Sequence, residues 1–312
     1  VKINVEKNYI FDSCDDYYVL KEKRGKPIRF PKFMTKDLAE FLGFVAGDGC
    51  VEENKIEFHN SDAELRKRYK ELICSLFGVD YREFKSHTTV VVQVTSKMLS
   101  KMVCNLMKIS SGKKAAFISI PESVLKSSND VLSSFLRAYF DCDGFVDKSR
   151  RTIELSTASK KMAKQVQLAL LRFGIVASLK SKNVRGYLKS YRIYIQGDFV
   201  ERFSSEIGFL HPKKRKRLLG LESAFSNTNV DIIPSGGKII GELKKRLRVS
   251  NKYIRDRTGK DVWSYLQNRY NVSVKWFRNL VKLFKKRYEE LLELKEYANL
   301  LDSYLEIVEK RN

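Results

Sequence analysis

The chain is poor in the residues that break, staple or ligate a fold. Its 312 residues include only 5 Pro, 16 Gly, 5 Cys and 3 His. So little Pro and Gly, beside 43% hydrophobic and 12% aromatic residues, excludes wholesale disorder and a collagen-like repeat. The cysteines, at 14, 50, 74, 104 and 142, are odd in number and show no CxxC spacing. Only His59, His87 and His211 could join them, so reduced thiols and no structural zinc are expected. Long apolar runs are missing too: stretches such as Phe41 to Ala46 fall far short of the roughly 20 residues that span a bilayer. Val1 to Asp16 mixes charge throughout and does not read as a signal segment. The expectation is a soluble intracellular protein, cytoplasmic, nucleoid-associated or organellar, of about two domains.

What the sequence has in excess is positive charge. Lys and Arg number 60 against 37 Asp and Glu, a net +23. Such a surface concentrates polyanions, and nucleic acid is the commonest intracellular one. The charge is segregated: residues 238–287 hold 16 basic and 3 acidic side chains, whereas residues 288–312 hold 3 and 7. Segregation favours a binding surface over uniform solvation.

An internal repeat organises the first 220 residues. Phe41-Leu42-Gly43-Phe44-Val45-Ala46-Gly47-Asp48-Gly49 is answered 95 positions later by Leu136-Arg137-Ala138-Tyr139-Phe140-Asp141-Cys142-Asp143-Gly144. Each copy leads into a short alternating segment, Lys55 to Phe58 and Thr152 to Leu155, then a helical pattern ending at Gly78 or Gly174. Further strand-like runs, Thr89 to Thr95 and Tyr191 to Gln196, and a short helix follow in both halves. Each half therefore reads as helix, two pairs of strands interrupted by a helix, and a closing helix. Pro121 and the stretch Ser127 to Asp130 separate the halves, and Pro234 to Gly237 introduces a segment without the repeat. The expected divisions are an extension over 1–35, repeats over 36–125 and 126–222, a linker over 223–237 and a helical domain over 238–312.

In the first motif, Leu38, Phe41, Leu42 and Val45 fall at helical spacing while Gly43 and Gly47 clear one face. Ala138 and Cys142 hold the matching positions of the second copy, so two small-residue faces can pack about a pseudo-twofold axis. Each helix would end in an Asp-Gly pair, and a helix C-terminus carries about −0.5 charge, which a carboxylate worsens. A hard divalent cation resolves the conflict, because carboxylate, backbone carbonyl and water oxygens are all available there. Asp48 and Asp143 are then metal ligands, with the carbonyls of Gly47 and Cys142. Two carboxylates around one to three Mg2+ suit phosphodiester hydrolysis.

The paired motifs resemble those of the LAGLIDADG homing endonuclease family, in its monomeric, tandem-repeat form associated with archaeal introns and inteins. The resemblance covers roughly residues 36–222. It implies an α+β fold of two pseudo-symmetric αββαββα halves, with the motif helices at the central interface and two sheets forming a saddle over DNA. It implies site-specific, Mg2+-dependent double-strand cleavage, with Mn2+ as a substitute, at a long rare site by a monomer. The last motif acids fall on Asp48 and Asp143, whereas the earlier acid is Asp141 in the second copy and Ala46 in the first. Active sites of the family also hold a Lys and a polar residue near each scissile phosphate. Lys55 and Lys148 are the candidates for catalytic lysines here, with Asn60 and Ser61 as secondary ones. A non-cleaving transcription regulator, an intron RNA maturase or a nuclease of recombination or repair would use the same fold. Splicing by this chain is not expected: it starts at Val1 without a nucleophile and ends Lys310-Arg311-Asn312 without a preceding His.

For DNA contact, Leu188, Ser190, Arg192, Tyr194 and Gln196 share one strand face, and Thr89, Val91, Gln93 and Thr95 another. Lys182, Arg185 and Lys189 flank a turn at Gly186 and are phosphate-contact candidates, as are Lys213, Lys214 and Arg215 in the run that follows His211-Pro212. His211 reads as a turn residue. The C-terminal segment reads as all-α, with apolar stripes through Ile240, Leu243 and Leu247 and through Val274, Phe277, Leu280, Val281 and Phe284. Helix, short turn and a second helix capped at Ser250 is the pattern of a helix-turn-helix unit, with Arg255, Arg257, Lys275 and Arg278 as its DNA-binding candidates. Trp263 and Trp276 are expected in its core, and an acidic last helix, Tyr288 to Glu309, is expected to pack back on the protein.

Overall fold

A computed structural model describes the chain apart from residues 23–24, 111, 113–114, 184–188, 222–231, 291–301, 304 and 308–312. The chain divides into two compact units, Val1–Ser226 and Asn227–Asn312. The extension before the first motif is a three-stranded antiparallel sheet, β1 (Ile10–Ser13), β2 (Tyr17–Leu20) and β3 (Ile28–Pro31), which sequence patterning did not reveal.

The first repeat follows as α1 (Lys36–Asp48), β4 (Gly49–Val51), β5 (Lys55–His59), α2 (Ala63–Phe77), β6 (Arg82–Ser86), β7 (Thr89–Thr95) and α3 (Lys97–Met107). A one-turn helix α4 (Glu122–Leu125) links it to the second, which is α5 (Asn129–Asp143), β8 (Gly144–Asp147), β9 (Thr152–Thr157), α6 (Lys160–Leu171), β10 (Ala177–Lys182), β11 (Ser190–Gln196) and α7 (Asp198–Glu206). Both are αββαββα. The sheets are antiparallel, in the orders β4-β5-β7-β6 and β8-β9-β11-β10, so strand order is repeated along with sequence. Local signals explain the element ends. Thr35, Asp62 and Ser159 accept backbone N–H groups at the starts of α1, α2 and α6. Gly78 closes α2 at φ 62° and Gly174 follows α6 at φ 64°, the left-handed conformation that glycine takes without strain.

Helices α1 and α5 are buried along nearly their whole length, and the contact between them runs through the small-residue faces. A Cβ at Gly43 would stand 2.5 Å from the carbonyl oxygen of Phe135 and 2.8 Å from Ala138 Cβ, and one at Gly47 would overlap the Cys142 side chain, with Sγ at 2.9 Å. Around this pair one apolar core spans both repeats; in the first, Tyr69 stacks on Phe41 and Phe58, and Phe77 and Phe44 meet those rings edge-on. The N-terminal sheet joins that core where Phe30 stacks on Phe77, centroids 5.6 Å apart.

Beyond α7, the basic run is itself a helix, α8 (Pro212–Leu219). Pro212 at the first helical position makes that start favourable. The second unit comprises β12 (Ile232–Ile233), α9 (Gly236–Arg246), α10 (Asn251–Thr258), α11 (Trp263–Leu266), β13 (Val272–Ser273) and α12 (Val274–Glu290), around its own core of Ile240, Leu243, Val272, Phe277 and Phe284. It is helical apart from a short ribbon in which Val272–Ser273 pairs with Ile232–Ile233. Trp276 is buried as expected, whereas Trp263 is 46% exposed with the Arg269 guanidinium over its ring, 4.6 Å from the centroid. Most of the expected acidic last helix and of the linker lies outside the described residues; Lys285 pairs with Asp302 at 3.0 Å.

Gly43→Ala places a methyl group against backbone that cannot swing away, so it should cost about 1–3 kcal/mol in urea unfolding. An Ala138→Gly substitution in the same protein should restore part of that loss, because it removes the one side-chain atom among those the new Cβ meets.

Candidate active site

Because Gly47 packs on Cys142, the acids that follow them leave the helix pair at the same end. Asp48 and Asp143 are both half-buried, and each is followed by the glycine that opens the first strand of its sheet. Their charges converge on the same groups: both carboxylates push up the Cys142 thiol, already raised mainly by burial, and both favour the ammonium form of Lys214. Asp48 is oriented by Asn60, whose Nδ2 donates to Oδ2 at 2.7 Å, while Asn60 Oδ1 accepts the Asp62 N–H at 2.8 Å. Asn60 was a secondary candidate in the sequence, and its place just past β5 brings it back to the helix end. In the second repeat the matching position is Thr157, whose hydroxyl accepts the Ser159 N–H at 3.2 Å. The fully buried Tyr139 hydroxyl lies beside Thr157 and Asp143; burial, then the Asp143 charge, holds it protonated. Phe44 occupies the equivalent point of the first motif, so the two carboxylates have different neighbours.

The positive charge that the paired helix ends demand comes from Lys214. Its Nζ donates to the carbonyls of Phe140, Asp141 and Cys142 at 3.3, 2.6 and 3.3 Å, capping the C-terminus of α5. Burial lowers its affinity for the proton, opposed by Asp141, Cys142, Asp48 and Asp143. The sequence offered Lys214 as a phosphate contact, with Lys213 and Arg215 of the same run. The structure instead turns it inward, because the run is helical and its neighbours Lys213 and Arg215 face solvent. Asp141 sets this up: its buried carboxylate accepts the N–H groups of Leu210 at 3.0 Å and His211 at 2.9 Å, which fixes the start of α8. Burial raises the Asp141 pKa to about 6, with the two backbone donors and Lys214 acting in the other direction. His211 is the residue before α8, with Nδ1 3.6 Å from Asp62 Oδ2. Burial holds its pKa down against Asp62.

The two lysines chosen from the sequence are not at this point. Lys55 begins β5 opposite Thr95, while Gly49 pairs with Phe58 three residues on, so Lys55 stands about 10 Å along the strand from the acid. It is held by Glu57 at 2.8 Å and Glu52 at 3.2 Å. Lys148 lies in the turn beyond the far end of β8 and is exposed. Ser61 turns to Thr88 and Thr89 instead of Asp48. The Cys142 carbonyl, offered as a metal ligand, is engaged by Lys214, so a metal there must share it with an ammonium group.

Strand alternation, ambiguous in the sequence, is now decided. Ile193 and Ile195 face the core, so Ser190, Arg192, Tyr194 and Gln196 face away from the helices, beside Lys180 and Lys182 of β10. Arg192 is paired with Glu154 at 3.0 Å. The corresponding face of the first sheet carries Glu57, Arg82, Gln93 and Thr95. Lys182 and Lys189 are exposed, and Arg185 lies outside the described residues. Of the C-terminal candidates, Arg255, Arg257 and Lys275 are exposed and Arg278 is half-buried.

The donor set fits a hard cation, since two carboxylates share a carbonyl-rich helix end that already holds a cation of the protein's own. Among the described residues no cluster of three or more His, Cys, Asp or Glu side chains adds to it. Nor is any described helix long and apolar enough to cross a membrane.

Comparison with known proteins follows the same division. Residues 35–104 and 130–208 match the model of the LAGLIDADG-like domain. The replication factor C small subunit of Methanocaldococcus jannaschii is 39% identical over 304 residues, covering 93% of this chain and 16% of that protein. The isomerizing glutamine-fructose-6-phosphate aminotransferase of the same organism is 23% identical over 308 residues, covering 89% and 28%. The chain thus spans between about a sixth and somewhat over a quarter of these relatives. A solved structure of the homing endonuclease I-DmoI with DNA and Ca superposes with a TM-score of 0.46 at 16% identity, covering 60% of this chain and 98% of that one.

Lys214→Met removes a charged donor from three carbonyls and should destabilise the protein by about 1.5–3 kcal/mol in urea unfolding. Arg215→Met, one residue along on the solvent side, should stay within about 0.5 kcal/mol of the parent.

Proposed function

Residues 35–104 and 130–208 belong to the LAGLIDADG-like domain family, and from that premise we propose that the protein is a site-specific endonuclease that hydrolyses both strands of duplex DNA. The observation that carries the reading is the delivery of Asp48 and Asp143 to one end of a helix pair, with Lys214 at the same end. A pure binding protein has no use for two acids facing a polyanion. Asp48, Asp143 and the Gly47 carbonyl would hold a divalent ion of the Mg2+ class. Bound there, the ion supplies phosphate polarisation and a water of lowered pKa.

The chain's own groups do the rest. Asn60 fixes the Asp48 carboxylate, and Tyr139 with Thr157 lines the Asp143 side. Lys214 holds the α5 end in the free protein and offers an ammonium group to a phosphate brought against the acids. This replaces Lys55 and Lys148 in the catalytic assignment. The sheet faces turned away from the core, with Arg82 and Gln93 on one and Lys180, Arg192 and Gln196 on the other, carry the donors that duplex DNA requires.

The relatives support a mobile element. Replication factor C and the aminotransferase share no activity by name, yet each matches about nine-tenths of this chain while most of each relative lies outside the match. What they have in common with it is a segment, and a segment that recurs in unrelated hosts is the distribution a homing element leaves.

The test is the host allele lacking the segment, incubated with protein and Mg2+. A discrete double-strand cut is expected. Asp48→Asn and Asp143→Asn should each abolish it while leaving binding to the same duplex within about threefold, a change under 1 kcal/mol. Binding without cutting by the parent would move the assignment to a DNA-binding regulator or an RNA maturase on the same fold, and cutting by either variant would remove the metal-ligand assignment.

A further inference from the structure

In the second unit, α9, the turn Leu247 to Ser250 and α10 form a helix, turn and helix over one local core. Leu243, Leu247, Val249 and Ile254 are all buried. Ser250 Oγ accepts the Tyr253 N–H at 3.0 Å and starts α10, and Gly259 ends it at φ 68°. The unusual residue is Arg248. It sits in the turn at φ 53°, exposed, where a glycine would adopt the same backbone without strain. A side chain in the left-handed region costs roughly 1–2 kcal/mol, and such strain is kept where the side chain has something to do. The side of α10 opposite the buried Ile254 presents Lys252 and Arg255 with the single acid Asp256, and Arg257 is exposed on the Tyr253 flank. The Arg257 guanidinium is laid over the Tyr253 ring, 3.7 Å from its centroid, which fixes it in place and leaves N–H donors at its edge.

We propose that this helix-turn-helix is a second duplex-DNA reader, with the outer side of α10 in the major groove and Arg248 on a flanking phosphate. An α-helix fits the roughly 12 Å major groove of B-form DNA and not the deep, narrow one of A-form RNA. Charge complementarity selects the same partner, since residues 238–287 carry 16 basic and 3 acidic side chains. The assignment stands on residues of this unit and does not depend on whether the repeats cut DNA.

The experiment uses the full chain and a labelled, random-sequence DNA duplex, with affinity followed against salt. Two variants separate fold from function. Arg248→Gly relieves the turn, so it should raise the melting temperature while binding about fivefold more weakly, with a log–log salt slope shallower by about 0.9 for one lost phosphate contact. Lys252→Ala with Arg255→Ala should melt like the parent and bind roughly tenfold more weakly or worse. An RNA duplex of the same length should show neither difference. Unchanged DNA affinity in both variants, or equal losses on RNA, overturns the proposal. A parent protein that never cuts yet shows these DNA-specific losses removes the nuclease reading and upholds this one.

Discussion

Everything in the larger unit depends on how closely two helix backbones can approach. Gly43 and Gly47 let α1 lie against Phe135, Ala138 and Cys142 with no room for a Cβ. Close approach aligns the two C-termini, and alignment brings together two negative helix ends, each already carrying an Asp. The packing that stabilises the repeat pair therefore creates an electrostatic conflict at that end, which positive charge relieves.

The protein answers part of that conflict itself. Asp141, placed two residues before Asp143, is buried and takes two backbone N–H groups at the start of α8. That anchor fixes the helix register, and the register turns Lys214 onto the carbonyls of α5 while Lys213 and Arg215 face water. Ala46 holds the equivalent position in the first motif and provides no such anchor. The two halves share a fold and strand order, but their acids are supported differently: by Asn60 at Asp48, and by Tyr139, Thr157 and Lys214 around Asp143.

Legibility followed the range of the interaction involved. Elements whose apolar period or closing glycine stands in the sequence, such as α1, α5, α2 and α6, were readable because those signals are local. The N-terminal sheet was not, since its short strands, Ile10–Ser13, Tyr17–Leu20 and Ile28–Pro31, carry weak alternation. Lysines close in sequence to the acids, Lys55 and Lys148, were misleading: a strand rises about 3.3 Å per residue, so a few positions carry a side chain out of reach. Lys214, 71 residues beyond Asp143, arrives only because the chain returns.

Residue order was enough to establish the duplication, the small-residue faces, the two acids and the segregation of positive charge into the C-terminal unit. Each is a pattern of residue type and spacing, and the physics of helix and strand acts on such patterns locally. Packing of the elements was needed to select which lysine reaches the helix end, to bring Asn60 to Asp48, and to decide which face of each strand turns away from the core. It also placed Arg248 in a strained turn. These depend on register, chain return and backbone torsion, which arise when elements pack and leave no local trace in the order of residues.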